Sequence, residues 1–330
     1  MKKKLNIGII GTGIGLKHLE AYKFSELCEV KCIYEKNIKK YNFLRKKFNS
    51  ILFVKSEKEF FEKFNYDIVS IASYDQYHFA QIKECAKRHI NIVVEKPMCL
   101  KITELKKIKT YLKKYKIKMI SNLVLRENSL FKKIKKKYEN KKIFYIEADY
   151  LWGRQKKLYG WRSSLTEYSL TLGATIHILD LVIWILNKKP NYVYAIGTKK
   201  MTKNSKFKKH SLITYFFKFP GDIIAKLSAN AVCSHPHFHE LKIFLKNETF
   251  ISNLFGQGFI TKLNNKHQIN KTKYKYPDKK NRKMLIVNFV KAIYENSFNT
   301  KNMNYQFDLL SACFAADKSL TSKKEIKIEY

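Results

Sequence analysis

Six short apolar runs, separated by segments of helical periodicity, occupy the first 120 residues and constrain the fold more than any other feature. The runs are Leu5–Ile10, Val30–Tyr34, Ile51–Val54, Ile68–Ala72, Ile90–Val94 and Met119–Leu123. In one intervening segment, QYHFAQIKECAKRH, an apolar face forms at helical spacing from Phe79, Ile82, Cys85 and Ala86. Strands separated by helices of this length predict βαβ units with right-handed crossovers. We therefore predict an N-terminal doubly wound domain with a parallel sheet.

The pattern changes after about residue 122. A predicted helix near 126–139 leads into the strand-like stretch IFYIEADYLWG, and a long apolar helix follows in TIHILDLVIWILN. Strand-like stretches separated by short turns run from about 191 to 263, and two predicted helices near 283–296 and 305–320 precede a last strand. We predict two domains, 1–122 and 123–330, the second an α/β domain with a large, open and mainly antiparallel sheet.

The formal net charge of +39 does not by itself indicate a nucleic-acid-binding protein. Such proteins concentrate Lys and Arg on one face or in one tail, whereas lysine here is spread along the whole chain. The chain is also rich in Asn, Ile, Phe and Tyr, which share A/T-rich codons with Lys, so nucleotide bias explains the basicity. We expect no specific nucleic-acid partner, although the positive field favours anionic substrates or a dinucleotide.

Neither a membrane segment nor a disulfide framework is expected. No apolar run approaches the roughly 20 residues that span a bilayer. The start, MKKKLNIGII, resembles a signal peptide, but its apolar part is short and broken by glycine, so we interpret it as a first strand. The six cysteines form no C-x-x-C pair, which fits reduced thiols in a cytoplasmic protein.

The segment IGIIGTGIGLKH has the order strand, glycine-rich turn, helix. Gly11 allows a tight turn, and Gly13 lets backbone N–H groups approach a pyrophosphate at the helix N-terminus. The dinucleotide fingerprint has its third glycine at position 16, where this chain has Leu16, and Gly15 lies one place early. We predict that a dinucleotide is bound by the turn residues Gly11, Thr12, Gly13, Ile14 and Gly15.

Glu35 ends the second predicted strand, about 20 residues after the turn, as the fingerprint expects. A carboxylate there accepts hydrogen bonds from the adenosine ribose and repels a 2′-phosphate, which favours NAD(H) over NADP(H). Lys36 weakens this preference, so NADP(H) stays open as the cofactor. In the alternative interpretation, Glu35 and Lys36 are a solvated strand end.

The apolar run INIVVEKPMCL ends in a carboxylate, an ammonium and a proline. An ammonium in low-dielectric surroundings costs free energy unless it is paired, and it is usually kept where it has a function. Pro97 ends the strand and fixes φ, which would hold Lys96 at a defined strand exit. An ordinary solvated strand end is the open alternative.

Motifs in both halves of the chain resemble the Gfo/Idh/MocA oxidoreductase family, whose members include glucose–fructose oxidoreductase and inositol dehydrogenase. The segments GTG…KHLEA, DIVSIASYDQYH and VVEKP keep the family order in the first domain, and EADYLWGR, GWR and GATIHILDLVIWIL extend the likeness. The resemblance implies an NAD(P)-dependent dehydrogenase or reductase acting on a secondary alcohol or ketone of a sugar, nucleotide sugar or cyclitol.

The same resemblance implies roles for residues at the exits of the fourth and fifth strands. Ala72, Ser73 and His78 would line the nicotinamide side of the cofactor site, although SYDQYH replaces the Pro and Asn of the family motif. For His78, capping of the following helix is the alternative. Lys96 would polarise the reacting oxygen and Glu95 would help to hold the cofactor pocket. A cis Lys96–Pro97 bond fits this motif.

His177 and Asp180 lie three residues apart and hence on one helical face. By resemblance, His177 is the catalytic imidazole that takes the hydroxyl proton as hydride leaves carbon, and Asp180 orients or charge-balances the site. Without the resemblance, a histidine on an apolar helix is more often a core residue. Many family dehydrogenases carry an Asp four residues before this histidine, where this chain has Gly173.

Two further groups of residues have less specific signals. Arg154, Trp161 and Arg162 resemble substrate or cofactor contacts that would suit a sugar phosphate or nucleotide sugar, with a plain packing loop as the alternative. In CSHPHFHELKIF, His235, His237 and His239 would share one face of a strand. Pro236 perturbs that strand and no carboxylate or thiolate completes a ligand set, so we predict no metal site.

An open sheet with one apolar face predicts a subunit partner, so we expect a homodimer or homotetramer that acts on a small carbohydrate and binds no membrane. The rival hypothesis is a catalytically silent dinucleotide-binding sensor or regulator on the same fold. The retained Lys96 and His177 favour the enzyme, whereas Gly173 and the altered fingerprint favour the sensor.

Overall fold

The computed structural model describes residues 3–252, 257–264, 266–273, 276 and 278–330, and they divide into two compact units. The first comprises Met1–Asn122 and Lys283–Phe307, and the second comprises Leu123–Arg282 and Asp308–Tyr330. The sequence-based limits gave all of 123–330 to the second domain, whereas the segment 283–307 packs with the first unit. Its helix α8 (Met284–Tyr294) inserts Ile286, Phe289 and Val290 into the core of the first unit, and burial of this apolar face explains the assignment.

Six parallel strands form the sheet of the first unit, in the order β3–β2–β1–β4–β5–β6. They are β1 (Leu5–Ile10), β2 (Cys28–Tyr34), β3 (Leu52–Val54), β4 (Ile68–Ile71), β5 (Asn91–Val94) and β6 (Met119–Ser121). Each overlaps one predicted apolar run, and the predicted doubly wound fold is confirmed. The strand order reverses between β1 and β4, and crevices at such a switch point bind ligands at the carboxyl ends of the strands.

Five helices alternate with these strands and cover the sheet. They are α1 (Gly15–Lys23), α2 (Ile38–Lys47), α3 (Glu57–Lys63), α4 (His78–Lys87) and α5 (Ile102–Tyr115). Local sequence starts two of them, because the side chains of Asn37 and Ser56 accept hydrogen bonds from the first turns of α2 and α3. In α4 the predicted apolar face is buried through Ile82, Cys85 and Ala86.

Nine strands form the sheet of the second unit, in the order β14–β13–β12–β11–β7–β10–β9–β8–β15. They are β7 (Ile143–Leu151), β8 (Tyr192–Thr198), β9 (Leu212–Phe219), β10 (Ile223–Asn230), β11 (Phe238–Leu245), β12 (Glu248–Ser252), β13 (Gln257–Asn264), β14 (Lys266–Lys273) and β15 (Ile326–Lys327). Among the described strands of this sheet, only β7 and β10 pair in parallel, so the predicted mainly antiparallel sheet is confirmed. The strand-like stretch predicted through residues 253–256 lies outside the described residues.

Three helices complete the second unit. They are α6 (Ser129–Tyr138), α7 (Ile176–Leu186) and α9 (Lys301–Ser322), the last of which begins within the segment assigned to the first unit. Helix α7 is apolar nearly all round, and eight of its eleven residues are buried. His177 and Asp180 lie together on the one polar face of this buried helix.

All six cysteines are free thiols, five of them buried. Within the described ranges, no helix combines the length and hydropathy needed to cross a bilayer.

Candidate active site

The turn between β1 and α1 needs glycine at position 11. Gly11 has φ of +87°, and a Cβ there would lie 2.7 Å from the Ala72 carbonyl oxygen. Gly15 is the first residue of α1, and its Cβ would meet the Ile9 side chain at 3.1 Å. Gly15 thus provides the close approach of helix to strand that the fingerprint assigns to a glycine at position 16. Leu16 packs against the core instead.

The same turn is open where a pyrophosphate would approach. A Cβ on Gly13 would have no heavy atom within 4 Å, so the backbone faces open space there. Ile14 precedes α1 and provides no side-chain hydrogen bond to its first turn. Uncapped N–H groups and the positive end of the helix dipole attract an anion. These residues therefore fit the phosphates of a dinucleotide.

Glu35 is buried beside this turn and is not a solvated strand end. Its carboxylate accepts hydrogen bonds from the Thr12 backbone N–H (3.2 Å) and hydroxyl, and from the Asn37 N–H (2.7 Å). Only 7% of its surface is exposed. The solvated-end interpretation is therefore wrong for Glu35, although the neighbouring Lys36 is exposed. A fixed carboxylate lies where the fingerprint places the ribose-binding acid.

A buried polar network fixes the exit of β5. One Glu95 oxygen accepts hydrogen bonds from His18 Nε2 (2.9 Å) and Asn122 Nδ2 (2.6 Å), and the other accepts one from the Lys96 backbone N–H (3.3 Å). The other ring nitrogen of His18 bonds to Ser70 Oγ at 2.7 Å. Burial alone would raise the pKa of Glu95, but the hydrogen bonds and charges of His18, Asn122 and Lys96 outweigh it and lower that pKa. An ionised carboxylate therefore orients the turn that carries Lys96.

This network includes two residues that the sequence analysis missed. His18 belongs to the quoted segment KHLEA, but its helical position gave no sign of a partner 77 residues away. Asn122 follows β6 and had no recognisable motif. The Lys96–Pro97 peptide bond is cis, as expected, and Lys96 itself is partly exposed.

His78 connects the exits of β4 and β5. Its imidazole is fully buried, with Nδ1 2.7 Å from the Pro97 carbonyl oxygen and Nε2 3.3 Å from the Ser73 carbonyl oxygen. Ser73 Oγ donates a hydrogen bond to Gln81 (2.7 Å), and Ala72 is 5% exposed. His78 is the first residue of α4 and makes these bonds across loops, so a simple capping role does not describe it. Contact of these three residues with a cofactor stays a prediction.

Asp180 pairs with an arginine in the second unit. Arg126 donates from Nε and Nη2 to the Asp180 carboxylate at 2.5–3.1 Å, and Asp180 is 1% exposed. The Arg126 guanidinium also lies 5.8 Å from the Trp184 ring centroid. Such a bidentate pair compensates the buried charge. Asp180 therefore forms a buried ion pair within this unit, and Arg126 is a partner that the sequence analysis missed.

His177 lies in a cluster of aromatic side chains. Its ring centroid is 6.1 Å from that of Tyr150 and 6.2 Å from that of His239, both edge to face. The Tyr150 hydroxyl is hydrogen-bonded to His237 Nε2 at 2.8 Å, and the His237 and His239 rings lie 5.0 Å apart. The Tyr276 hydroxyl bonds to His239. These side chains, taken together, form a polar aromatic wall beside the candidate imidazole.

The expectation that three alternating histidines share one face is wrong for His235. Strand β11 begins only at Phe238, so Pro236 and the residues around it lie outside the strand. His235 packs 6.4 Å from the Phe238 ring, whereas His237 and His239 meet Tyr150. Among the residues that the structure describes, no group of three His, Cys, Asp or Glu side chains is arranged to hold a metal ion.

Positive charges surround Tyr150 and His237. Burial lowers the pKa of His237 to about 4, and the charges of Arg154, Arg282 and Lys157 add to this effect. Burial raises the pKa of Tyr150 to about 12, against the charges of Arg154, Arg282 and Arg162. At neutral pH His237 is therefore a neutral imidazole and Tyr150 a neutral phenol.

The loop that carries Arg154 is held against β10 and the start of β11. The Trp152 N–H donates to the Asn230 carbonyl (2.9 Å), and Gln155 Nε2 donates to the Val232 carbonyl (2.8 Å). Gly153 has φ of +56°, and a Cβ there would overlap the His235 carbonyl oxygen. Further along, the Arg162 guanidinium lies 4.3 Å from the Trp161 ring centroid. These anchors fix the backbone on either side of Arg154 and the plane of the Arg162 guanidinium.

Tyr168 occupies the space beside position 173. A Cβ on Gly173 would lie 1.9 Å from the Tyr168 hydroxyl oxygen and 2.5 Å from its Cζ. Gly173 is in the π-helical turn Thr171–Thr175 that precedes α7, one turn before His177. The phenol of Tyr168 thus fills the space that an acidic side chain at this position would need.

Asp317 of α9 holds the segment that leads into this turn. Its carboxylate accepts hydrogen bonds from Ser169 Oγ (2.7 Å) and the Thr171 hydroxyl. Burial raises its pKa to about 6, because it outweighs these bonds and the charge of Lys209. Since this pKa exceeds the value of about 3.9 for an unfolded Asp, the charged form destabilises the folded chain at neutral pH.

Asp317→Asn should make the chain more stable at alkaline pH but not in acid. The favourable contribution of Asp317 to stability is complete below about pH 4 and is lost as the pH rises through 6. At pH 8 the free energy of unfolding of the variant should therefore exceed that of wild type by about 1–2 kcal/mol. Denaturant unfolding at pH 4, 6 and 8 measures this, with the exposed Asp222→Asn as the control. A difference from wild type that is equal at all three pH values would contradict the prediction.

Both halves of the chain match one protein family. Residues 5–123 match the oxidoreductase family with an NAD-binding Rossmann fold, and residues 132–251 match the Gfo/Idh/MocA C-terminal domain. No curated protein matches the chain.

Solved structures share the fold over nearly the whole chain. Myo-inositol 2-dehydrogenase from Lactobacillus plantarum has a TM-score of 0.82 at 15% identity and covers 99% of this chain and 100% of its own. Scyllo-inositol dehydrogenase from Lactobacillus casei, with bound NAD(H) and scyllo-inositol, has 0.79 at 16%, covering 98% and 99%. UDP-N-acetylglucosamine 3-dehydrogenase from Acidithiobacillus ferrooxidans has 0.80 at 16%, covering 97% and 99%.

At these identities the structural likeness shows the fold, while the sequence matches to both domains show the family. They cover residues 5–123 and 132–251, which is well over half of the 330 residues. The chain belongs to the Gfo/Idh/MocA oxidoreductase family.

Proposed function

We propose that the protein is an NAD(H)-dependent oxidoreductase that interconverts a secondary alcohol and a ketone in a sugar, nucleotide sugar or cyclitol. The observation that carries this proposal is the buried network of His18, Glu95 and Asn122 at the exit of β5. Burying three polar side chains is costly unless their hydrogen bonds are satisfied. Here they orient one turn, and that turn presents Lys96.

The first unit supplies the residues that would hold the cofactor. The open side of Gly13 and the uncapped N-terminus of α1 suit the pyrophosphate, and Glu35 suits the adenosine ribose. The buried carboxylate would repel a 2′-phosphate, which supports NAD(H) over NADP(H). When bound, the nicotinamide ring accepts or donates the hydride.

Lys96 and His177 would divide the remaining chemistry between them. The Lys96 ammonium donates a hydrogen bond to the reacting oxygen and stabilises negative charge on it. His177 takes the hydroxyl proton during oxidation and returns it during reduction. The Arg126–Asp180 pair keeps the buried face of α7 electrically balanced. An unpaired carboxylate one turn from His177 would favour the protonated imidazole, and the Arg126 guanidinium offsets that effect.

The substrate class rests on chemistry and on the relatives. The described dehydrogenases act on inositols and on a nucleotide sugar, and all three share this fold. Tyr150, His237 and His239 offer rings and polar edges beside His177, as a hydroxyl-rich ligand needs. The six free thiols lead us to propose a reducing, cytoplasmic location as well.

Cofactor binding and turnover test the proposal together. NADH and NADPH would be titrated into the protein by calorimetry, and inositols, hexoses and UDP-sugars then surveyed by absorbance of the reduced nicotinamide. We expect tighter binding of NADH and turnover with at least one member of the survey. Tight cofactor binding without turnover of any member would favour the catalytically silent sensor, for which the filled space at Gly173 is the structural argument.

We also propose that the outer face of the nine-stranded sheet binds a second copy of the chain. Exposed apolar side chains cluster on β8 and β9: Tyr192, Tyr194, Ile196 and Phe216. The centre of this face is polar, because Lys226 and Lys242 pair with Glu147 at 3.7 and 3.3 Å. Exposed apolar side chains that cluster on two neighbouring strands form a surface that a second subunit would cover.

Introducing negative charges on this face should dissociate the oligomer. Ile196→Glu combined with Phe216→Glu places four like charges in a symmetric dimer interface, and we expect a monomer at micromolar concentration by light scattering. The exposed Phe43→Glu in α2 is the matched control and should leave the mass unchanged. A monomeric wild type would refute the proposed interface.

A further inference from the structure

We propose that Arg154, Lys157, Arg162 and Arg282 form a subsite for an anionic group, a phosphate ester or a carboxylate, on the carbohydrate substrate. The subsite lies in the second unit, beside Tyr150 and His237. The proposal rests on the proposed function, because it specifies which carbohydrates that function would use.

The four cations act on the same few groups. The charges of Arg154 and Arg282 bear on both Tyr150 and His237, and Arg162 bears on Tyr150. Burial lowers the pKa of Lys157, and the charges of Arg154 and Arg162 lower it further. Like charges that act on the same side chains disfavour one another, and a bound anion would remove that cost.

Within the described residues of the second unit, no Asp or Glu forms an ion pair with these four residues, and the residues outside the described ranges contain no Asp or Glu. The acid nearest to Arg282 in sequence, Asp278, accepts hydrogen bonds from the Ser129 N–H (3.0 Å) and Asn281 Nδ2 (2.8 Å). The same unit does pair other cations, since Lys226 and Lys242 contact Glu147.

The anchors of the loop suit a preformed site. Gly153 contacts the His235 carbonyl, and Trp152 and Gln155 bond to the end of β10, so Arg154 follows a fixed backbone. Arg162 lies over the Trp161 ring, which restricts the plane of its guanidinium. Guanidinium groups held in this way bind phosphate and carboxylate oxygens in pairs.

The position of the cluster relates the anion to the reacting carbon. The Tyr150 hydroxyl is hydrogen-bonded to His237, whose pKa is lowered by burial and by the cations. The Tyr150 ring centroid lies 6.1 Å from that of His177. His237 is neutral near pH 7, so it offers hydrogen bonding without a further charge. We therefore place the anionic group on the same ligand as the hydroxyl that reaches His177.

Binding of matched ligands tests the subsite without requiring turnover. Glucose 6-phosphate, glucuronate, UDP-N-acetylglucosamine and neutral glucose would be titrated by calorimetry into the NADH-saturated protein. We expect at least one anionic ligand to bind tenfold or more tightly than glucose, and the order among the three distinguishes phosphate from carboxylate. Equal affinity for neutral and anionic ligands would overturn the proposal.

Charge-removing variants locate the effect. Arg154→Gln and Arg282→Gln should each weaken binding of the anionic ligand about tenfold or more relative to binding of neutral glucose, since each variant loses charge-assisted hydrogen bonds. Lys200→Gln, which removes an exposed charge on the same unit, is the control. Thermal unfolding checks that each variant is folded. Anion affinity unchanged in both arginine variants would refute the site.

Failure of the subsite and failure of the proposed function give different results. Turnover of neutral sugars with no preference for anions would leave the oxidoreductase and remove the subsite. Arginine-dependent anion binding with no turnover of any ligand would keep the subsite and remove the enzymatic function.

Discussion

Lys96→Met lowers kcat by about a thousandfold and leaves the affinity for NADH within a few-fold of wild type, if the ammonium stabilises charge on the reacting oxygen. Methionine keeps the unbranched stem and removes only the charge and its donors. The Glu95 network fixes the turn through the Lys96 backbone N–H, which this substitution retains. Steady-state kinetics on the best substrate of the survey, with NADH titration, measures both quantities.

The control for this variant removes a charge that has no proposed role. Lys87→Met, at the exposed end of α4, should leave kcat unchanged. A Lys96→Met enzyme that keeps kcat within threefold of wild type would show that the defined strand exit serves packing alone. Equal losses in kcat and in NADH affinity would instead assign Lys96 to cofactor binding.

His177→Asn should reduce kcat by about 100- to 10,000-fold, the range typical of general acid–base catalysis. Asparagine keeps a polar side chain on the face of α7 but cannot exchange a proton. We therefore expect one limb of the pH–rate profile to disappear, a change that a packing defect would not produce. Because Lys96 and His177 would act on the same oxygen, the double variant should be little slower than the worse single variant.

His89→Asn is the matched control for the loss of an imidazole. His89 has φ of +57°, a conformation that asparagine tolerates, so its local backbone should be preserved. We expect wild-type kinetics from this variant. A His177→Asn enzyme with an unchanged pH profile and a proportionate loss of thermal stability would contradict the catalytic role and favour a core histidine.

The glycine-rich turn shows how far local sequence reasoning reaches. Gly11 was predicted from its turn, and its positive φ is a local property of the backbone. Gly15 was interpreted as a misplaced glycine, yet it meets Ile9 at the distance that helix packing requires. The spacing rule failed by one residue because packing depends on where α1 crosses β1, and that crossing is a tertiary property.

The second unit shows the opposite limit. Asp180 could be placed on one face with His177 from helical spacing, but its ion pair with Arg126 joins residues 54 positions apart. Tyr168 fills the space beside Gly173 only because the π-helical turn brings them together. His235 does not share a face with His237 and His239, because β11 begins only at Phe238, later than the alternating histidines suggested.

The sequence by itself determined the two sheets, the order of strands and helices, the glycine-rich turn with its distant carboxylate, and the strand exit at Lys96. These follow from periodicity and turn chemistry, which act between neighbours along the chain. Tertiary structure alone decided that His18 and Asn122 orient Glu95, that Arg126 balances Asp180, and that residues 283–307 join the first core. Each of these depends on contacts between distant segments, and short-range patterns carry no information about which distant side chains will meet.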